Sequence, residues 1–473
     1  MGEQHRREAE QDLAENRRLS LEASPTSRTK TLIAAFFVTL PAILFYTILF
    51  RRTLDIPFYD DSHVFLDFLN QLTMLKDVAA KTSYFLAAQH NEYKLFFAHG
   101  LAWLQFYLFG HIDFRMLSAI GNGFVLLLAI LLWKMFLPAH KDIATRLAFF
   151  IPVSCLLFQF QYWEDLNWAT ASLQHITVIV FSISAIYLLV RGGLWAFCCA
   201  LAFLIPAAAS NANGFLLIPI GVLILALGRH YARIASWLAV SAGCAAAYAY
   251  RYNVMSSQTD SHRSVLSTLH PFRPAYIIAF IGSAGSFPFK AGCFILGILL
   301  CIFFAYMARR GYARRNPQAS YSVLFLLLTA VGVAGIRSDF GVAQSLAPRY
   351  AIYSALLLIF AWLVIVEEFL QYRRAPLLKN KFYLGAVAVA VLFSLCADAM
   401  GLSMLGLRDR ALFQAVVAFE HPTLPQPITG ITPQLSGSEA LSDAFYQRAA
   451  FNQETREMLM QSIKLGIYRP PSY

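Results

Sequence analysis

Two adjacent carboxylates, Asp60 and Asp61, sit in the stretch Asp55-Ile56-Pro57-Phe58-Tyr59-Asp60-Asp61-Ser62-His63. It follows directly on an apolar run from Leu32 to Phe50 and the pair Arg51-Arg52. Charge beside hydrocarbon is costly, so an acidic pair at the mouth of an apolar helix calls for a reason. One reason is chemical. When an alcohol attacks a carbon centre, as in transfer of a sugar onto a hydroxyl, a base must take the hydroxyl proton as the bond forms, and a carboxylate suits that task. A second carboxylate can orient the first, or hold a divalent cation such as Mg or Mn through oxygen ligands. The other reason is local: Asp ahead of an amphipathic run is an ordinary helix N-terminal signal.

Four further clusters carry side chains fit for binding. His90-Asn91-Glu92-Tyr93-Lys94 packs a donor, an acceptor and two charges into one short stretch. It suits acceptor hydroxyls or a metal site completed by Asp60, and equally a polar helix start whose Lys94 reaches phospholipid headgroups. Gln161-Tyr162-Trp163-Glu164-Asp165-Leu166-Asn167-Trp168, followed by Gln174 and His175, sets aromatic rings beside amide and carboxylate groups. Sugar faces pack on rings and sugar hydroxyls need both donors and acceptors, but Trp and Tyr at a span end also form the usual interfacial belt. Ser210-Asn211-Ala212-Asn213-Gly214 has the composition of a tight turn. Arg337 with Asp339, and Arg349-Tyr350 after Pro348, place guanidiniums at span ends. An arginine fork there can clamp a phosphate that leaves during a reaction, or pair with ordinary phospholipid.

The elements that position these clusters follow from composition. The chain of 473 residues is 58% hydrophobic and 14% charged, with 40 Phe. Long apolar runs separated by short polar loops make it an all-α integral membrane protein. The first run lies behind a polar tail and lacks a small-residue cleavage site before Arg51, unlike a cleaved signal peptide. The formal charge of +11 is gathered in short loops, the pattern of membrane topology and not of nucleic-acid binding. All seven cysteines fall in apolar segments without disulfide or zinc spacing. Walker, dinucleotide, His-Glu-x-x-His and nucleophile-elbow motifs have no suitable context here.

The basic loops 134–146, 191–193, 229–233, 309–315 and 373–381 alternate in sidedness if the chain crosses eleven times. The spans are then 32–50, 114–135, 147–161, 173–190, 194–210, 214–228, 234–250, 289–307, 321–337, 350–368 and 382–398. Residues 1–31 become a cytoplasmic polar tail, 32–398 the membrane domain, and 399–473 a small external C-terminal helical segment. The apolar piece Leu95 to Gly110 is short for a span and must not cross, so it is expected as a juxtamembrane helix in the external loop 51–113. Pro274 to Phe287, broken by Gly282 and Gly285, reads similarly. The polar clusters then share the outer face.

In this arrangement the chain resembles the GT-C superfamily of polytopic glycosyltransferases, above all its largely uncharacterised bacterial members, and more distantly the protein O-mannosyltransferases and the aminoarabinose transferase of lipid A. Pro57-Phe58-Tyr59-Asp60-Asp61 is similar to the Pro-Phe-aromatic-Asp-acidic stretch that follows the first span in that family. His90-Asn91-Glu92 resembles a His-Asn-Glu-His-Arg stretch, with Tyr93-Lys94 in place of His-Arg. Trp163-Glu164-Asp165-Leu166-Asn167-Trp168 resembles Trp-Glu-Asn-Leu-x-Trp, Asn213-Gly214 an Asn-Gly turn, and Gly341-Val342-Ala343-Gln344 through Arg349-Tyr350 a late Gly-x-x-Gln…Arg-Tyr loop. The likeness runs through Tyr350 and is weak in the tail. It implies a polyprenyl-phosphate sugar donor, a glycan, lipid or protein acceptor, membrane lipid as a partner, and inverting transfer on the external face of a bacterial inner membrane.

The expected roles follow. Asp60, with Asp61, is the catalytic carboxylate. His90, Asn91, Glu92, Glu164, Asp165, Asn167 and Tyr350 hold substrate, while Arg349, helped by Arg337, receives the lipid phosphate. A transporter or flippase of a lipid-linked glycan is the alternative, but it needs charges along a two-sided path, and the mid-span segments here are nearly charge-free. A membrane acyltransferase would want an embedded His base, for which His175 is the candidate.

Overall fold

Apolar sequence in contact with lipid has no water to satisfy its backbone, which leaves helices or closed barrels as the elements that can cross. The computed structural model describes residues 25–136, 142–253, 274–287, 289–370, 380–420 and 451–471, and among these every element is helical. The polar tail before residue 25, much of the basic loops near 137 and 373, the loop through 254–273 and the Pro- and Gly-rich stretch 421–450 lie outside the described residues.

The chain opens with α1 (Pro25–Arg52), a π-helical turn (Ser62–Asp67), α2 (Phe68–Met74) and α3 (Val78–Ala87). Next come α4 (Phe96–Phe109), α5 (Phe114–Met135), α6 (Ile143–Leu157) and the short α7 (Trp163–Asn167). A second π turn (Ser172–Ile176) leads into α8 (Thr177–Arg191), then α9 (Leu194–Ser210), α10 (Leu217–Leu227) and α11 (Tyr231–Ala249). The remaining helices are α12 (Pro274–Ile281), α13 (Gly292–Arg309), α14 (Pro317–Arg337), α15 (Ala351–Ile365), α16 (Lys381–Glu420) and α17 (Gln453–Lys464). Acidic and amide side chains start several of them: Asp113 accepts from Arg115 N and Met116 N, and Asn316 from Ala319 N.

Seven of the described helical segments are long and apolar enough to cross a membrane, which makes this a multi-pass membrane protein. Each of the eleven segments expected as spans coincides with a helix, but α6, α9, α10 and α11 are shorter or less apolar than those seven. Burial ranks the seven. Ala169–Arg191 and Pro348–Phe369 have 83% of their apolar windows buried, against 17–44% for the others. These two are the axis of the bundle, and the rest wrap them with outward apolar side chains such as Leu32, Ile302 and Leu395.

α4, expected as a juxtamembrane helix, is a short apolar helix like α6, α9 and α10. At 1.5 Å per residue its length is about 21 Å, below the ~30 Å of hydrocarbon. One face buries Ala98, His99, Ala102 and Gln105, and the other exposes Leu104, Tyr107 and Leu108. The boundary expected at residue 398 is not a break. α16 runs on to Glu420, since no proline interrupts it before Pro422. Where it crosses the backbone of Phe160, Gly401 leaves room that a Cβ would fill, only 2.1 Å from the Phe160 carbonyl oxygen.

Sequence left the C-terminal segment without a role, and the structure supplies one. Beyond α16, α17 and the residues after it return to the loop that carries Asp60. Asn70 Nδ2 donates to Met458 O (3.2 Å), and Ser462 Oγ donates to Asn70 Oδ1 (2.9 Å). Ile112 N donates to Ile467 O (2.8 Å), Tyr468 OH donates to Asp55 O (2.8 Å), and Tyr468 packs edge-on to Phe114 at 5.7 Å. Leu459, Ile467 and Tyr468 are buried in this seam. The tail and the first loop therefore share one face of the bundle. Tyr468→Ala should cost about 3–5 kcal/mol locally. Limited proteolysis should then cleave the 54–113 loop faster while the spans stay protected.

Candidate functional site

A cavity of about 290 Å³ opens where the first loop, the start of the α8 span and the loop before α15 meet. Its wall includes Asp60, His90, Asn91, Glu164, Arg337, Arg349 and Tyr350, seven of the eleven residues expected from the sequence. The other four do not line it. Asp61 is 1% exposed and faces away, Glu92 stands behind Arg337, and Asp165 and Asn167 are buried within α7. Tyr59, Tyr93, Trp168, Thr170, Gln174, His175, Phe340 and Gln344 also line the cavity. The spacing of Trp168, Ala171, Gln174 and His175 on one helical face is a signal for part of this set. Nothing local marks Tyr59 or Phe340.

Of the two adjacent carboxylates, geometry leaves Asp60 at the cavity wall and gives Asp61 the orienting part, away from it. Asp61 Oδ1 accepts from Thr170 N (2.9 Å) and Thr170 Oγ1 (2.6 Å), and Oδ2 accepts from Phe58 N (3.0 Å). Asp61 N returns a bond to Phe58 O (3.1 Å), which closes the turn. Burial pushes the Asp61 carboxyl up to about 6, against the pull of the Thr170 and Phe58 donors. Asp61 is thus a structural clamp, and it turns its neighbour outward. Tyr59 is held at φ 54°, in the left-handed region that a bulky side chain rarely enters, and Asp60 reaches the cavity. On the facing wall Asn91 turns the chain at φ 49°, a left-handed conformation that Asn enters readily, beside His90, whose Nε2 lies 3.4 Å from Asp60 Oδ2.

The two arginines arrive already paired. Arg349 NH1 donates to Glu164 Oε2 at 2.8 Å, and Arg337 NH2 contacts Glu92 Oε1 and donates to Tyr93 OH at 3.2 Å. Each guanidinium also lies against rings, Arg349 on Trp168 (5.9 Å) and Tyr350 (5.2 Å), Arg337 on Tyr93 and Phe340 (both 5.6 Å). A guanidinium has five N–H donors, so one carboxylate partner leaves others for a ligand anion, and Arg337 Nε is buried with no partner among the described residues.

In the cavity wall, His175 Nδ1 lies 3.4 Å from the Tyr353 hydroxyl, which accepts from Asn213 Nδ2 at 3.3 Å. The π turn that aims His175 is pressed on Gly121 of α5, where a Cβ would stand 2.4 Å from Ser172 Oγ. Asp165 is wholly buried, and its carboxyl is pushed well above the usual range by burial and by the neighbouring Glu164. Neither Asp165 oxygen nor either amide atom of Asn167 has a hydrogen-bond partner among the described residues.

Asp60 and His90 approach each other, but no group of three His, Cys, Asp or Glu side chains is arranged for a metal among the described residues. The chemistry available is proton acceptance at Asp60 and anion binding at the arginines.

The clamp gives a structural test. Asp61→Ala leaves three buried donors unmet and should cost roughly 2–5 kcal/mol, seen as a lower thermal midpoint in purified protein. Thr170→Val removes one donor and should cost about 1 kcal/mol.

No family model matches this chain, and no curated protein or solved structure matches it either.

Proposed function

We propose that this protein is a membrane glycosyltransferase of the GT-C type, using a polyprenyl-phosphate sugar as donor and a cell-envelope glycan or lipid as acceptor. The observation that carries the reading is one cavity lined by a carboxylate, Asp60, and by two guanidiniums, Arg337 and Arg349. Proton removal and anion release are the two demands of sugar transfer from a lipid phosphate, and the cavity has a group for each.

Asp60 accepts the proton of the acceptor hydroxyl while that oxygen attacks the anomeric carbon. The bond from the anomeric carbon to the phosphate oxygen breaks on the opposite side, and its electron pair leaves with the phosphate. Attack from the face opposite the leaving group inverts the anomeric centre. Arg349, with Arg337, holds the phosphate as its charge develops. Glu164 and Glu92 keep the guanidiniums in place before the anion arrives, which lowers the reorganisation needed during reaction. His90 steadies Asp60 from the facing wall.

The reading includes a topology: eleven crossings, N-terminus in the cytoplasm, and the cavity with the C-terminal tail on the external face of a bacterial cytoplasmic membrane. The pattern of basic loops supports it.

The test compares lipid-linked sugars and envelope glycans by mass spectrometry in cells with the protein, without it, and with Asp60→Asn at equal abundance. Asp60→Asn keeps shape but removes the base, so transfer should fall about 10²–10⁴-fold. Arg349→Lys keeps charge but loses the planar fork, and should lower transfer about tenfold or more. Near-normal transfer by Asp60→Asn overturns the assignment. Unchanged glycans with precursors trapped on one leaflet would mark a flippase instead.

A further inference from the structure

We infer that Tyr59 and Trp168 form a sugar-ring subsite beside Asp60, in which the faces of a pyranose pack on the two aromatic side chains and the Trp168 indole N–H donates to a sugar hydroxyl. This deepens the transferase reading by naming what contacts the reacting sugar, and it rests on that reading.

Three observations point to it. Tyr59 is 51% exposed while its neighbours Phe58 and Asp61 are buried, and its backbone is held at φ 54° by the Asp61 clamp. A large ring kept at the cavity wall in a strained conformation is not there for packing in the core. The ring stands edge-on to Trp168, with centroids 5.3 Å apart and planes at 89°, so the two make a corner. Such a corner offers one apolar face and one apolar edge, the shape that a sugar ring with C–H groups on its face can fill.

Trp168 supplies the second, independent sign. Its side chain is buried, it lines the cavity, and its Nε1 has no hydrogen-bond partner among the described residues. A buried indole N–H normally finds an acceptor, and a ligand hydroxyl is the group that would provide one here. The indole is also the link between the two ends of the site. Tyr59 and, through it, Asp60 lie on one side, and the Arg349 guanidinium lies 5.9 Å from the ring. A ring seated in the corner is thereby placed between the proton acceptor and the cation, where the transferred bond must form or break.

The subsite can be read without any transfer reaction. Full-length protein in lipid nanodiscs, free of glycoside detergent, is probed by saturation-transfer NMR with methyl glycosides of glucose, galactose and mannose. In the wild type at least one of them should receive saturation concentrated on its ring C–H protons. Tyr59→Phe should keep that signal within about twofold, because the ring remains, whereas Tyr59→Leu should weaken binding about tenfold. Trp168→Phe keeps a ring but removes the donor, and should weaken binding roughly three- to tenfold.

The binding readout at Tyr59 and Trp168 needs no transfer step, whereas Asp60→Asn, expected to lower transfer about 10²–10⁴-fold, reads the reaction assignment by itself. Added decaprenyl phosphate then tells the sources apart. Loss of the glycoside signal puts the bound ring in the donor sugar position, and an additive signal puts it in the acceptor position. The inference is overturned if no glycoside gives a wild-type signal, or if Tyr59→Leu binds as well as wild type with an unchanged fold by thermal midpoint.

Discussion

The cavity depends on one buried carboxylate that does not line it. Asp61 ties the turn after α1 to Thr170 at the head of one of the two most buried spans, joining parts of the chain 109 residues apart. Burial disfavours its charge, yet three donors converge on it, so the turn has little freedom to reshape. The left-handed Tyr59 and the outward Asp60 are consequences of that clamp. A carboxylate at this position is thus held by structure in a way that its half-buried neighbour is not, and the pair divides into an anchor and a group that lines the cavity.

The cavity is also assembled from charges that compensate each other before any ligand arrives. Isolated arginines at the edge of an apolar bundle would be costly to bury, and Glu164 and Glu92 offset that cost. The aromatic rings of Trp168, Tyr350, Tyr93 and Phe340 complete the packing around each guanidinium. Rings and carboxylates together fix two planar cations at one end of the cavity, while the left-handed turns at Tyr59 and Asn91 fix Asp60 and His90 at the other. The cavity thus has a carboxylate and an imidazole at one end and two paired guanidiniums at the other, the arrangement on which the proposed transfer rests.

The C-terminal tail shows the same logic at larger scale. A loop between α1 and α5 that carries reactive groups would be loose if only its ends were fixed. α4 anchors its middle through His99, which stacks on Phe68 at 4.2 Å, and the tail covers it through Tyr468, Ser462 and Ile467. Lys94, fully buried, donates from Nζ to Leu86 O and to Tyr250 O, joining the His90 stretch to the end of α11.

The sequence by itself determined the class of the molecule and the identity of most groups at the site. Apolar runs of span length can only be helices in lipid, so the helical bundle and the short α4 were legible from pattern alone. Polar residues such as Asp60, His90, Glu164, Arg337 and Arg349 stand out at the ends of those runs because charge there is costly. Only the tertiary structure decided which of two adjacent carboxylates faces the cavity, which carboxylate neutralises which arginine, and what the tail does. Those outcomes turn on contacts between residues such as Asp61 and Thr170, Arg349 and Glu164, or Asp55 and Tyr468, far apart in the chain. No local pattern encodes such a pairing, since the same Asp-Asp turn would serve as well with either side chain turned inward.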